Sequence, residues 1–437
     1  MSYTDRYGDY LAQLPGDICA QKEKGRRSFL AFTSNYDVVL KWDAGTFTAL
    51  LDQYLCTAPA AKAGDCIRDM ADFARISAYC AIHGLGMNFD ITNVDVCDVL
   101  LEKFDQERSL GGTGAQGAAA LSTAGFPVAV QLTDRCREVC AMLDQSDMRV
   151  VRGQELIPVM EGASEEKPVY HIILQFVKGD MIRVDGREVE IPLSNRLIFF
   201  YDSIHKTVPI GADYLEYLPA HQEEISSFVA AGFDAVVDPA IALERTAQIE
   251  KMLVSLEEKG GVPVYMEGAF YMNPKVKEIF FRRLGRFCSV IGTNEEELAD
   301  LMRRHGHDVD LSDPSAVLNA LETMLQMYAS KGVILHTKDY ALFYGERWTG
   351  VDIEKGLTIG CLMSGTRARC GRYGTLRDLE ESLKLPLSRE GLRFFDALER
   401  METKREAVLV PSRYMERPRY TIGLGDTFVA GVQTCYI

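Results

Sequence analysis

Short apolar runs alternate with longer amphipathic stretches along most of the chain. The runs "SFLAFTS" (28–34), "PVAVQL" (127–132), "YHIILQFV" (170–177), "RLIFFYD" (196–202), "DAVVD" (234–238), "PVYME" (263–267), "SVIG" (289–292), "GVILHT" (332–337), "YALFYG" (340–345) and "AVLVP" (407–411) predict strands. Between many of them the apolar positions recur with helical period, at 114–125, 240–257, 273–285, 294–304, 314–330 and 389–403. Such alternation predicts an α/β protein with a mostly parallel sheet. Segment 38–110 interrupts the alternation and reads as largely helical. Together with the β-rich 167–212 it is expected to form a smaller lid inserted into a large α/β domain. The expected division is 1–37, 111–166 and 213–437 for the large domain, and 38–110 with 167–212 for the lid.

At 437 residues the chain exceeds one ordinary core, in keeping with that division. The net charge of −15, from 48 Lys+Arg against 63 Asp+Glu, excludes a basic nucleic-acid-binding face as the organising feature. The 11 cysteines are odd in number, scattered, and never spaced Cys-x-x-Cys, the usage of a reducing cytosol. The N-terminal stretch "MSYTDRYGDYLAQLPGD" carries early acids and no long apolar run, so it does not read as a signal peptide. No run is long and apolar enough to span a bilayer. The expectation is a cytoplasmic protein with no membrane or nucleic-acid partner; its oligomeric state is left open.

In open α/β sheets ligands bind beyond the carboxyl ends of the strands. Polar residues recur there: Asn35 and Asp37, Glu267, "TNEEEL" (293–298), and His336 with Thr337. Near the C-terminus "TIGLGDTFVAG" (421–431) places Gly-x-Gly-Asp at the mouth of a helix pattern. Free N–H groups there would form an anion hole, and Asp426 could take a proton from an attacking hydroxyl. The plainer reading is a tight turn with Asp426 capping the helix. Asn294 and Glu297 form a near-standard capping box, or else flank a Mg²⁺ water shell. "GGTGAQG" (111–117) imitates a dinucleotide fingerprint, but the charged "VLLEKFDQERSL" before it reads as helix rather than buried strand. "RRHGHD" (303–308) reads as a solvated helix end. Lys178 and Arg196, at the ends of β-like segments, are either anion clamps or lone surface cations.

With these motifs in this order, the chain resembles the ADP-dependent glucokinase and phosphofructokinase family, a branch of the ribokinase-like sugar kinases, from about residue 28 to the end. "VPSRYMERPRYTIGLGDTFVAG" (410–431) resembles its C-terminal block. "SNYD" resembles its sugar-binding Asn-x-Asp, "GGTGAQGAAAL" its Gly-Gly block, "VIGTNEEEL" its Asn-x-x-Glu metal motif and "ILHTKDYALFYG" its His-Thr strand. The resemblance implies a ribokinase-like, Rossmann-type three-layer sandwich with an inserted α+β lid, Mg²⁺ as cofactor and ADP as phosphoryl donor. It implies Asp426 as catalytic base and Gly423, Leu424 and Gly425 as anion hole. Asn35, Asp37, Gly111, Gly112 and His171 would contact sugar hydroxyls, and Arg196 a phosphate. Glu267, Asn294, Glu297 and Asp426 would serve the metal, and His336, Thr337, Val410 and Gly425 the nucleotide.

The chain departs from the family where His-x-Glu becomes Tyr265-Met266-Glu267, where "DPAIAL" (238–243) replaces a Ser-Gly-rich strand end, and where Asn88 stands for a glucose-selecting glutamate. Asn88, with Lys178 and Arg196 as lid cations, favours a sugar phosphate over glucose, fructose 6-phosphate being the single best expectation. The alternatives are an ATP-dependent ribokinase-like kinase and a sugar- or nucleotide-binding protein that has lost turnover.

Overall fold

The computed structural model describes residues 3–62 and 64–436. Its largest sheet has ten strands in the order Glu406–Pro411, Tyr340–Gly345, Gly332–His336, Val290–Asn294, Val264–Glu267, Ile225–Ala230, Arg27–Ala31, Val128–Val130, Met148–Arg152 and Glu155–Pro158. The seven from Gly332–His336 to Met148–Arg152 are mutually parallel, and antiparallel strands close both edges.

Alternation along these strands divides the core in two. Leu30, Val229, Tyr265, Val290 and Ile334 face a layer that includes helices Thr113–Thr123, Ile353–Cys370 and Leu424–Val432. Their neighbours Phe29, Phe228, Met266, Ile291 and Leu335 face helices Pro239–Glu258, Pro274–Leu284 and Pro314–Tyr328. A parallel sheet must be covered on both faces, and period-two strands supply an apolar set to each.

A second, six-stranded sheet runs Cys66–Ile67, Met87–Ile91, Asn195–Tyr201, Tyr170–Phe176, Asn35–Leu40 and Gln106–Gly111. Helices Ala44–Tyr54 and Met70–His83 cover one face, where Phe47, Phe73 and Phe199 are fully buried. The opposite face is open and carries Asp37, His171, Asn88 and Arg196. Their common side follows from register: Asp37 pairs with His171, His171 with Phe200, Ile198 with Asn88, and Arg196 lies four residues before Phe200.

Three sequence expectations are corrected. "DAVVD" is not a strand but the loop after strand Ile225–Ala230. That strand is masked in the sequence by Ser226 and Ser227, which are buried and share hydrogen bonds with Ser28. Segment 38–110 is mixed rather than helical, since it holds Met87–Ile91 and Gln106–Gly111. "QERSL" reads as helix because it is an edge strand, where exposed Glu107 and Arg108 guard an unpaired rim. Helix Ile353–Cys370 was not expected. All 11 cysteines are unpaired, and among the described residues no helix is long and apolar enough to cross a membrane.

Helix Leu424–Val432 is seated by glycines. A Cβ on Gly431 would come within 2.5 Å of the Gly360 Cα, and one on Gly360 within 2.8 Å of the Phe428 ring. The two helices therefore touch backbone to backbone, which only glycine permits. Gly431→Ala is expected to cost about 1–3 kcal/mol through overpacking. Gly8→Ala, in a helix where the added methyl meets nothing within 4 Å, should be neutral or stabilising. Urea unfolding of the two variants checks the contrast; equal midpoints would contradict the packing account.

Candidate active site

Gly423 precedes helix Leu424–Val432 with φ of 69°, a left-handed conformation cheap only for glycine. A Cβ there would also strike Gln116 Oε1 at 2.1 Å. The turn leaves the first N–H groups of the helix aimed outward without internal acceptors, with Asp426 in the first turn. Burial pushes the Asp426 carboxyl up to about 6. The Thr113 hydroxyl and the Arg367 charge work against that rise, while Glu267 and Asp37 add to it. A carboxyl near neutrality is suited to accept a proton and pass it on.

Arg367 is a site residue that sequence reasoning missed. Its Nε donates to Ile422 O at 3.0 Å and its Nη2 to Gln116 Oε1 at 3.1 Å. Tyr373 and Tyr420 hold the guanidinium at 4.1 and 4.9 Å from their ring centres. It braces the turn before Gly423 from an otherwise buried position. In sequence it is one of two cations in the last turn of a helix, Arg369 being the other, where the dipole alone accounts for them.

The two glycines of the Gly-Gly block also have specific tasks. A Cβ on Gly111 would lie 2.1 Å from Asn35 Nδ2 and 2.7 Å from Asp37 Oδ1, and one on Gly112 2.4 Å from Thr33 O. The block follows strand Gln106–Gly111, contrary to the helical expectation. That strand sits at an edge of the smaller sheet and pairs antiparallel, so the dinucleotide fingerprint is still absent.

Asn35 Nδ2 donates to Asp37 Oδ1 at 2.5 Å and faces His171 Nδ1 at 3.0 Å. Burial raises the Asp37 carboxyl, with His171 and Asn35 opposing the shift. The structure thus brings Asn35, Asp37, Gly111, Gly112 and His171 together, with Asp426 close enough to feel the Asp37 charge.

Glu267 and Glu297 form the acidic wall. Tyr265 donates its hydroxyl to Glu267 Oε2 at 3.0 Å, and His336 Nε2 lies 2.8 Å from Oε1. Burial disfavours protonation of His336, but Glu267, with Glu297 and Glu295, outweighs it and the net shift is upward. Glu297 is raised by burial and by Glu267 beside it. Gly292 makes room for this pair: a Cβ would sit 1.9 Å from Glu267 Oε2. The capping box is present. Asn294 Oδ1 accepts from Glu297 N at 2.9 Å and Asn294 Nδ2 donates to Glu297 Oε1 at 2.9 Å. The Asn294 amide is therefore engaged with the helix and with Glu297.

A cavity of about 590 Å³ opens beside the helix mouth, lined among others by Glu295, His336, Thr337, Ser412, Leu424 and Gly425. Val410 does not reach it; its side chain is fully buried in the core, and Ser412 and Arg413 line the wall instead. Arg196 and Asn88 are exposed on the open face of the smaller sheet. Arg196 lies about 13 Å along the strands from His171, so Arg367, not Arg196, is the cation acting on Asp426. Lys178 lies in the exposed turn after strand Tyr170–Phe176, about 20 Å from His171. "RRHGHD" ends helix Glu295–Arg304 as expected, with His305 as its C-cap.

A model of the ADP-specific phosphofructokinase/glucokinase conserved region matches residues 26–432. An ADP-specific phosphofructokinase of Pyrococcus abyssi is 26% identical over 94% of this chain and 97% of its own. An ADP-dependent glucose/glucosamine kinase of Pyrococcus furiosus is 25% identical over 62% of each chain. A phosphofructokinase from Pyrococcus horikoshii OT3 solved with AMP superposes with a TM-score of 0.80 at 19% identity, covering 94% of this chain and 98% of its own. An ADP-dependent kinase in complex with fructose 6-phosphate and ADPβS superposes with a TM-score of 0.73 at 18% identity, covering 99% and 97%. Two sheets, a glycine-mouthed helix and an acidic wall thus occur in a chain matched almost end to end, and the chain belongs to the ADP-specific phosphofructokinase/glucokinase family.

Proposed function

We propose that this protein is an ADP- and Mg²⁺-dependent kinase that transfers the terminal phosphoryl group of ADP to a hydroxyl of a sugar phosphate, with fructose 6-phosphate as substrate. The observation that carries the reading is Asp426: a carboxyl raised to about 6, in the first turn of a helix whose N–H groups are open, and near enough to Asp37 to feel its charge. Phosphoryl transfer needs alignment, charge neutralisation and exclusion of water more than covalent help.

In this reading the sugar rests against Asn35, Asp37, Gly111, Gly112 and His171, with its reacting hydroxyl at Asp426. Asp426 accepts the hydroxyl proton as the oxygen attacks. The N–H groups of Leu424 and Gly425, freed by the Gly423 turn, receive the negative charge of the transferring group. Arg367 keeps that turn in place. The nucleotide occupies the cavity past His336 and Thr337, and the smaller sheet serves as the lid that excludes water.

Glu267 and Glu297 suit a hard cation. They are adjacent carboxylates, and among the described residues no Lys or Arg lies within ion-pair distance of either. They would hold the water shell of Mg²⁺, which supplies charge neutralisation at the phosphates when bound. Asn294 holds Glu297 in place for that task. The retention of Asp426, Glu267 and Glu297 argues against a retired binding protein.

Substrate choice rests on the open face of the smaller sheet. Asn88 carries no charge to repel a phosphate, and Arg196 is an exposed cation with no carboxylate in ion-pair range among the described residues. Relatives named for phosphofructokinase and for glucose/glucosamine kinase activity mark the two poles of choice.

kcat/KM should fall about tenfold per pH unit below about 6, because the base form of Asp426 is lost as pH drops through its pKa. Asp426→Asn should lower kcat by about 10²–10⁴ and abolish that acid limb, while ADP binding measured by calorimetry persists. An acid limb unchanged in the variant would exclude Asp426 as the titrating base. Glu297→Gln preserves a capping box but removes a carboxylate, so the Mg²⁺ concentration for half-maximal activity should rise with the Tm nearly unchanged. An unaltered Mg²⁺ titration would leave the cap as its whole role. Arg196→Ala should lower kcat/KM about 10- to 100-fold on fructose 6-phosphate and little on glucose. Lys178→Ala should change neither; a loss confined to Lys178→Ala would overturn the assignment.

A further inference from the structure

Behind the sugar-facing residues lies a ring of hydrogen bonds that the proposed chemistry does not use. Asp202, 6% exposed at its side chain, sits at its centre. Its Oδ1 accepts from the N–H groups of Ile204 and His205 at 3.0 and 2.9 Å. Its Oδ2 faces His171 Nε2 at 3.0 Å and His205 Nδ1 at 2.6 Å. Although burial acts the other way, these donors hold the Asp202 carboxyl well below the usual carboxylate range. An ionised carboxylate only accepts, so both imidazoles must turn an N–H toward it.

The far nitrogens meet the next groups of the ring. His205 Nε2 lies 2.9 Å from Thr133 Oγ1, which also accepts the N–H of Ser34 at 3.0 Å. His171 Nδ1 meets Asn35 Nδ2. The other hydrogen of that amide goes to Asp37 Oδ1. The opposite amide orientation would set Asn35 Oδ1 against the Asp37 carboxylate, acceptor against acceptor. Since Ser34 adjoins Asn35, the chain closes on itself, tying strand Asn35–Leu40 to Thr133, in the loop after strand Val128–Val130 of the large sheet, and to both lid strands Tyr170–Phe176 and Asn195–Tyr201. Among the described residues nothing donates to Asn35 Oδ1 or Asp37 Oδ2.

We propose that Asp202 and His205 are positioning residues that fix the sugar-facing surface of Asn35 and Asp37 as acceptors only, so that the site selects a sugar by hydroxyl groups that donate. The inference rests on the sugar site proposed above. Neither Asp202 nor His205 stood out in the sequence, because a His three residues after an Asp in a polar turn carries no periodic signal.

The test has a spectroscopic and a kinetic arm. In ¹⁵N-histidine spectra of the unliganded protein, His171 should be the Nε2–H tautomer and His205 should carry a proton on Nδ1, and Asp202→Asn should change both resonances. His171 found as the Nδ1–H tautomer in the wild type would overturn the proposal, whether or not the protein turns over sugar. With fructose 6-phosphate as probe, Asp202→Asn and His205→Gln should each raise the sugar KM about 10- to 100-fold, leaving the KM for ADP within about twofold. Equal rises in both would indicate a merely structural role and contradict the proposal. For analogues deoxygenated at C3 or C4, the one that loses most activity should not be rescued by fluorine at that carbon, since fluorine accepts but cannot donate. Recovery to within about threefold of the parent sugar would show that the surface donates instead. Absence of any turnover of sugar by the wild type would refute the functional reading, with the tautomers still deciding the ring.

Discussion

The site depends on one steric constraint: helix Leu424–Val432 must approach its neighbours backbone to backbone. Gly431 rests on Gly360, Gly356 lies against the Val432 carbonyl, and Gly117 lies under the Asp426 backbone. These contacts leave the helix little freedom to slide or tilt. Its mouth is fixed in turn by Gly423, Gln116 and the buried Arg367. A general base works only where the hydroxyl arrives, and misplacement by about 1 Å can cost about a hundredfold in rate. Packing far from the reacting atoms therefore sets the position of Asp426.

The second organising effect is electrostatic. Asp37, Glu267, Glu297 and Asp426 converge from four elements on one poorly solvated cleft, and burial raises three of them, Asp37, Glu297 and Asp426. The fold answers this with different partners. Glu267 has His336 and the Tyr265 hydroxyl, Glu297 has its own capping box, and Asp426 has Thr113 and the charge of Arg367. Tyr265, where the resemblance leads one to expect a histidine, keeps a donor on Glu267. The residual negative charge on the acidic wall is the feature that calls for a divalent cation.

Much of this was legible in the sequence where local pattern and structure coincide. The parallel strands and the helices at 240–257, 273–285 and 314–330 follow from periodicity, because each is buried on a defined face. Asp426, Glu297 and Asn35 were legible as motifs, since glycine turns and capping boxes are local. What escaped is what depends on tertiary contact. Ser226 and Ser227 hid a central strand because each is satisfied by a hydrogen bond with Ser28. Arg367 looked like a helix-end cation. Val410 reads as a nucleotide contact and is core, and Lys178 reads as a site cation and lies beyond the end of its strand. Asp202 and His205 become meaningful only when two strands bring them to His171.

The central claim is that Asp426 and its helix mouth serve transfer of a phosphoryl group from a nucleoside diphosphate. It is tested most directly by ³¹P NMR of the wild-type protein with Mg²⁺, ADP and fructose 6-phosphate. The account predicts that a new sugar phosphate resonance and AMP appear in equal amounts, and that neither forms without the sugar. Transfer only when ATP replaces ADP, or release of inorganic phosphate in place of the new sugar phosphate, would contradict it.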